Sequence, residues 1–179
     1  MTAFQNLIDL RLAVADLVGN RAISDVFPRL VEMAEADFNS RLRTRHQIAD
    51  ATLTFEGDSS PLPPDFMEMH FVSPCGGRPA HYQIDGFNMR MTWSGDVAVQ
   101  YYARLPSLTC SPTATNWLLR HYPSVYLYGV ALQAAKHLRD AELAVQMSSL
   151  YSEAIRLLKI DDERARWSTS VVRVRGLTP

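Results

Sequence analysis

The fold is decided by residues 81–103, which read HYQIDGFNMRMTWSGDVAVQYYA. In residues 87–93, and again in residues 97–103, larger apolar side chains alternate with polar or small ones. Alternation with a period of two is typical of a strand that is covered on one face. Asp85-Gly86 lies between two such runs and is a preferred two-residue hairpin turn. The stretch therefore predicts antiparallel β-structure.

The β-pattern continues towards the N-terminus. Residues 48–55 alternate in the same way, residues 69–73 predict a further strand, and residues 65–68 predict one helical turn. Residues 57–64 form a proline-rich loop, which cannot lie inside a helix. Together these segments predict one antiparallel sheet of four or five strands over residues 47–105.

Helical periodicity flanks the sheet on both sides. Residues 3–18 and 27–42 each carry apolar side chains at spacings of three and four, with Gly19-Asn20 between them. After the sheet, residues 117–121 predict a short helix, Pro123 begins or kinks the next one, and Asp140 caps a long amphipathic helix. The sequence therefore predicts an α+β fold, in which the terminal helix pairs form a four-helix bundle and a small antiparallel β insert lies between them.

The predicted elements divide the chain into four parts. Residues 1–46 are the N-terminal helical hairpin, 47–108 the β insert, 109–163 the C-terminal helical hairpin, and 164–179 an extended tail. The tail interleaves four arginines with β-prone valines. Two interpretations stay open for it: an extended strand that adds to the sheet edge of a partner, or a disordered terminus.

Composition excludes several classes of protein. Of the 179 residues, 47% are hydrophobic and 21% charged, which is an ordinary globular balance. The net charge of −1 argues against a dedicated nucleic-acid binder. The two cysteines fit no disulfide framework or zinc spacing, and neither a signal peptide nor a membrane span is recognisable. We expect a soluble protein made in a reducing cytoplasm, with no cofactor and no membrane partner.

Residues that could carry chemistry are scattered. His70, Cys75 and His81 come nearest to a metal cluster, but they lack the tight local pairs of a zinc site. The glycine loop at residues 75–78 lacks the Lys-Ser/Thr of a phosphate loop. An enzyme would require titratable groups such as His70, His81 and Asp85 to converge on a cavity. We expect no catalytic, cofactor-binding or metal-binding residue.

Several stretches together indicate a family. They are YYARLPSL at residues 101–108, TNWLL at 115–119 and HYPSVYLYG at 121–129, supported by LPPDF at 62–66 and DDERARWS at 161–168. In these stretches, and in its order of helix pair, sheet and helix pair, the chain resembles the head–tail adaptor (connector) proteins of tailed bacteriophages. The resemblance covers nearly the whole chain and is weakest in residues 1–50.

The resemblance implies a structural virion protein of the neck that is assembled in the host cytoplasm. It implies a homo-oligomeric ring of twelve copies beneath the portal protein, a lumen that double-stranded DNA passes through without specific binding, and attachment of tail or nozzle proteins.

The resemblance also suggests which residues dock. The C-terminal segment is expected to reach the portal through Arg164, Arg166, Trp167, Val171, Val172, Arg173, Val174 and Arg175. Loops of the β insert are expected to face the tail through Asp58, Pro61, Pro74, Gly76, Gly77 and Arg78. Two rival functions stay open: a small helical protein-binding module, and a hydrolase with a site at the sheet–helix junction.

Overall fold

The computed structural model describes residues 6–19, 23–73, 81–92 and 94–167. In chain order its helices are α1 (Leu7–Leu17), α2 (Phe27–Arg41), α3 (Trp117–His121), α4 (Pro123–His137) and α5 (Ala141–Trp167). Its strands are β1 (Ile48–Phe55), β2 (Ser59–Pro61), β3 (Phe66–Val72), β4 (Tyr82–Asp85), β5 (Asn88–Met91) and β6 (Gly95–Ala103). Short 3₁₀ helices occupy Arg45–Gln47 and Leu108–Cys110.

The chain divides into two compact units. The helical unit comprises Met1–Asp37 and Ser107–Pro179, and the sheet unit comprises Phe38–Pro106. Helix α2 contributes to both, because the division falls between Asp37 and Phe38.

Side-chain caps fix where the helices of the helical unit begin. The Asn6 Oδ1 atom accepts hydrogen bonds from the backbone N–H groups of Ile8 and Asp9, at 2.9 and 3.1 Å. Asn116 caps α3 in the same way, and Pro123 occupies the first turn of α4. Asp140 caps α5 by accepting from the Leu143 N–H at 3.1 Å, as the sequence predicts. Each cap satisfies backbone donors that have no partner inside the helix.

Helix α4 is the centre of the helical unit. Helices α1, α3 and α5 all pack against it. Six of its residues are small or β-branched and buried, which lets neighbouring helices approach closely; they are Val125, Gly129, Val130, Ala131, Ala134 and Ala135.

The predicted four-helix bundle with a single β insert is wrong. The described residues contain five helices, interspersed with two three-stranded antiparallel sheets. In the C-terminal part, Asn116 caps the separate five-residue helix that the sequence predicts and Pro123 begins a new one, so three helices lie there and no bundle of two helix pairs is formed. The fold remains mixed α+β.

The sheet unit contains two sheets instead of the one that was predicted. The first has the strand order β1-β6-β3, and the second has the order β2-β5-β4. In the first sheet β6 is central, and Leu53 of β1 lies opposite Val97 of β6. In the second sheet β5 is central and pairs with β2 and β4.

One apolar core joins the two sheets. The first sheet contributes alternate residues of β1 and β6, and the second contributes Met89 and Met91 of β5. These side chains are 6% exposed or less. Alternation along each strand directs one set of side chains into this core and the other set outward.

Two local predictions in the sheet unit need correction. The β4–β5 hairpin forms where the sequence predicts it, but Asp85 pairs with Asn88, so the turn consists of Gly86 and Phe87. Gly86 has a φ of +60°, a conformation that favours glycine. Residues 66–68 belong to strand β3 rather than to a helical turn, because Phe66 packs against the apolar core.

Helix α5 continues to Trp167, so the extended tail predicted from residue 164 is wrong for its first four residues. Asp162 in this last part of α5 is 5% exposed and accepts a hydrogen bond from Arg166 at 2.8 Å. A buried carboxylate paired with an exposed arginine thus occupies the end of the helix. The other tail residues, 168–179, lie outside the described residues.

Candidate assembly surfaces

A buried carboxylate, that of Glu35 on α2, organises the helical unit. Glu35 is 6% exposed. Its Oε2 atom accepts from the Ser107 hydroxyl at 2.7 Å. Its Oε1 atom accepts from the Leu108 N–H at 2.8 Å and from the Tyr126 hydroxyl at 3.1 Å. The Glu35 side chain therefore joins three segments: helix α2, residues 107–108 after the last strand, and the central helix α4.

The network extends to the start of α3. The Tyr126 hydroxyl accepts a hydrogen bond from the Asn116 Nδ2 atom at 2.7 Å, while the Asn116 Oδ1 atom caps α3 through the Leu119 N–H at 3.0 Å. Burial, followed by the charge of Glu35, raises the pKa of Tyr126 far above its ordinary value. The phenol therefore stays protonated and available as a donor. This arrangement supplies rigidity, since each group in it already has a partner.

No motif in the sequence marks Glu35 as a buried residue. A signal existed, because Glu35 follows the buried Val31 by four residues and precedes the buried Phe38 by three. Those spacings place it in the apolar stripe of the helix. A carboxylate inside such a stripe predicts a buried polar partner.

A second tyrosine–carboxylate pair lies in the same unit. The Tyr151 hydroxyl of α5 donates to the Asp37 carboxylate of α2 at 2.6 Å. Tyr151 is 3% exposed, so this hydrogen bond lies at the edge of the core.

The sheet unit has its own polar links. The Tyr101 hydroxyl donates to Asp65 at 2.9 Å, and burial, together with this carboxylate, raises the pKa of Tyr101 to about 12. The Arg43 guanidinium pairs with Glu68 at 2.6 Å and also donates to the backbone carbonyl groups of Asn39 and Leu42 at the end of α2. The contacts of Arg43 link Glu68 of β3 to the last turn of α2, within the sheet unit.

Some of the residues predicted to dock to the portal lie in the described part of the chain. Arg164 and Arg166 are in the last turn of α5, where cations complement the helix dipole. Trp167 is the last residue of that helix. The remaining predicted residues, Val171, Val172, Arg173, Val174 and Arg175, lie outside the described residues.

Two of the predicted tail-side residues are described. Asp58 is exposed, and its carbonyl accepts from the Met91 N–H at 3.0 Å. Pro61 is exposed in β2 and lies opposite Asn88. The proline-rich segment is thus held along β5 by backbone hydrogen bonds. Pro74, Gly76, Gly77 and Arg78 lie outside the described residues.

Apolar side chains are exposed on both units. In the sheet unit, the β4–β5 hairpin exposes Tyr82, Ile84 and, at its turn, Phe87, which is 87% exposed. In the helical unit, α1 exposes Ile8 and Leu12, and α5 exposes Val145, Leu150 and Leu157. Clusters of exposed apolar residues on ordered elements are typical of protein-contact surfaces.

The histidines named as conditions for an enzyme lie on different strands or loops. His70 is in β3 and its ring contacts that of Tyr102 at 5.2 Å, while His81 directly precedes β4. Asp85, at the end of β4, pairs with Arg90 at 3.7 Å. Among the residues that the structure describes, no three His, Cys, Asp or Glu side chains are grouped so that they could hold a metal ion.

Within the described ranges, no helix combines the length and apolar character that crossing a bilayer requires. No curated protein matches the chain. A family model described as SU10 adaptor protein matches residues 77–175, from the segment before β4 to the C-terminal region. The match includes the hairpin, the central strand β6, the Asn116–Tyr126 pair and helices α3 to α5. Because it spans more than half of the 179 residues, the chain belongs to the SU10 adaptor protein family and is a structural phage adaptor that acts with other head and tail components of the virion.

Proposed function

We propose that this adaptor forms a ring of twelve copies in the neck of the virion, directly beneath the portal protein. The ring would continue the channel for double-stranded DNA and carry the tail or nozzle proteins. Membership of the adaptor family is the observation that carries this proposal.

Charge supports a channel that does not retain DNA. The chain has 18 Lys and Arg against 19 Asp and Glu, so its formal net charge is −1. A strongly basic wall would bind phosphates and release counterions, which would slow DNA passage. A near-neutral ring lets DNA pass without specific binding.

The C-terminal end of α5 is our candidate for docking to the portal. Arg164 is exposed, whereas Arg166 is held by Asp162 at 2.8 Å, so the final turn is fixed and one guanidinium remains directed to solvent. This turn leads straight into residues 168–179, which carry Arg173 and Arg175 among valines. A fixed helix end followed by β-prone residues suits strand addition to a partner sheet.

The second sheet is our candidate for contact with the tail. The Leu62 N–H donates to the Phe87 carbonyl at 2.9 Å, so the proline-rich segment and the hairpin turn lie side by side. Asp58, Pro61 and Phe87 are all exposed there. An apolar side chain surrounded by exposed polar and proline residues is a common composition for a protein contact.

Electron microscopy of the purified adaptor mixed with the portal protein of the same phage tests the proposal. We expect a ring of adaptor density stacked coaxially on the portal ring. Portal rings that stay bare at saturating adaptor concentration would refute it. A stoichiometric complex without a ring would instead favour the small binding module.

A further inference from the structure

Helix α1 is more apolar than its position requires. Eight of its eleven residues are apolar, although only Leu10 and Val14 are fully buried. Ile8 is 42% exposed and Leu12 59% exposed. These two residues are four positions apart, so they lie on one side of the helix. Exposed apolar side chains opposite the buried side of a helix are typical of a contact surface, which points to a partner for the outer side of α1.

A groove of about 240 Å³ lies beside this outer side. Leu7 and Ile8 of α1 and Phe27 and Pro28 of α2 give it an apolar lining, and Arg11 adds one positive charge. All of these residues belong to the helical unit. The groove therefore suits an apolar side chain that has a carboxylate next to it.

Helix α5 of the same unit presents such a side chain. Leu150 is 42% exposed and Leu157 is 54% exposed, while Tyr151 and Leu158 face the core. Glu153 precedes Leu157 by four residues and Asp161 follows it by four. At this spacing both carboxylates lie beside the leucine on one helix face. Both oxygens of Glu153 are bound by Arg156, at 2.6 and 2.7 Å, whereas Asp161 accepts from the uncharged Tyr122 hydroxyl.

We propose that Leu157 of one copy packs into the α1–α2 groove of the next copy, with Arg11 facing Asp161. The occupant is a second copy because the apolar groove with its arginine and the exposed leucine with its neighbouring aspartate are complementary in polarity and charge and lie on different elements of one chain. A contact between two different surfaces is heterologous, and repeating it closes a ring when the rotation from copy to copy closes, as the proposed ring requires. This interface deepens the proposed ring and rests on it for its biological role.

Complementation between two variants tests the interface on the full chain. Ile8→Arg places a charged side chain in the groove, and Leu157→Arg removes the apolar side chain that would fill it. Each variant alone is expected to lose self-association by about 30-fold or more, as for a central interface residue. Mixed together, they each retain one intact surface and should form a 1:1 dimer and nothing larger. Sedimentation velocity measures both outcomes.

Val145→Arg is the matched control, because Val145 is an apolar residue of the same helix and is 72% exposed. It should assemble like the wild type, and circular dichroism should show that all three variants are folded. A mixture that stays monomeric where the wild type assembles, or a wild type that is monomeric at its highest attainable concentration, overturns the interface.

Imaging with the portal separates this inference from the proposed function. If both single variants still form rings on the portal, the result supports the proposed function and refutes this interface. If the mixture gives the 1:1 dimer but the wild type forms no ring on the portal, the result supports the interface and refutes the role in the neck.

Discussion

Glu35 connects three chain segments, because its two carboxylate oxygens accept hydrogen bonds from Ser107, Leu108 and Tyr126 inside the helical unit. Removing a buried acceptor leaves its donors without partners, which costs more than the hydrogen bonds themselves contribute. The segment at residues 107–108 has left the sheet unit and is about to enter α3. The carboxylate therefore fixes the path of the chain at the point where the helical unit resumes.

Glu35→Ala is expected to lower the free energy of unfolding by about 3 kcal/mol, since several buried donors lose one charged acceptor. Urea denaturation followed by circular dichroism measures the change. Glu32→Ala on the same helix is the control, because Glu32 is exposed and its loss should change stability by less than about 0.5 kcal/mol. Equal effects for the two variants would contradict the role of Glu35.

Tyr101 makes stability depend on pH in the alkaline range. Its pKa rises from 10.0 to about 12 in the folded chain, so the unfolded chain releases the phenol proton at lower pH than the folded chain does. This contribution is complete below pH 10 and disappears as pH rises towards 12. Tyr101→Phe should therefore reduce the fall in the free energy of unfolding over that window.

Absorbance at alkaline pH gives a direct check on the same residue. One tyrosine that ionises late in the wild type should be missing from the titration of the Tyr101→Phe variant. A Tyr82→Phe control removes an exposed phenol and should leave the late transition in place. Identical alkaline stability profiles for wild type and Tyr101→Phe would contradict the assignment.

At the scale of elements, periodicity predicted the strands and helices that have one covered face. Strand β1 has the predicted bounds, Ile48–Phe55, and α3 has the bounds Trp117–His121. Prediction from periodicity failed where a tertiary contact decides the local conformation. Residues 65–68 carry two acids after prolines, like a helix start, but the packing of Phe66 against the sheet core makes residues 66–68 a strand.

The sequence does not predict which strands pair with each other. Strand β5 alternates as predicted, but nothing in its residues states whether it pairs with β6 or with the three-residue strand β2. That choice separates one sheet from two. The end of α5 was misplaced for a similar reason, because the sequence does not show that Asp162 is buried and bound by Arg166 within a continuing helix.

The hairpin turn should be sensitive to a side chain at Gly86. A Cβ atom there meets nothing within 4 Å, but the φ of +60° is strained for an L side chain. Gly86→Ala is expected to lower stability by about 1 kcal/mol. Gly57→Ala, where space is also open and φ is not in the left-handed range, should be neutral or slightly stabilising. Thermal unfolding of the pair measures the difference, and equal melting temperatures would contradict it.

The C-terminal segment is expected to contribute to portal affinity without supporting the fold of α5. Deleting residues 168–179 leaves the helix and its Asp162–Arg166 pair intact, and should weaken portal binding at least about tenfold. Deleting only residues 176–179 keeps Arg173 and Arg175 and should preserve binding. Surface plasmon resonance on immobilised portal compares the two truncations. Unchanged affinity for the longer deletion would show that docking uses another surface.

At the scale of the whole molecule, the family assignment and the surfaces agree on an assembly part. The helical unit carries a groove and a leucine on different helices, and the sheet unit exposes an apolar hairpin turn beside a proline-rich segment. The sequence resemblance identified the family, and the family match over residues 77–175 confirms it. Neither could indicate which helix faces are exposed, because exposure depends on how α1 and α5 pack against α4.

The central claim is the position of this protein in the neck, and a cryo-electron microscopy reconstruction of the intact virion tests it most directly. We predict a ring of twelve adaptor copies in contact with the lower face of the portal, with the C-terminal end of α5 towards the portal and the β4–β5 hairpin towards the tail. Density for this fold at another site in the virion, or a neck without it, would contradict the account.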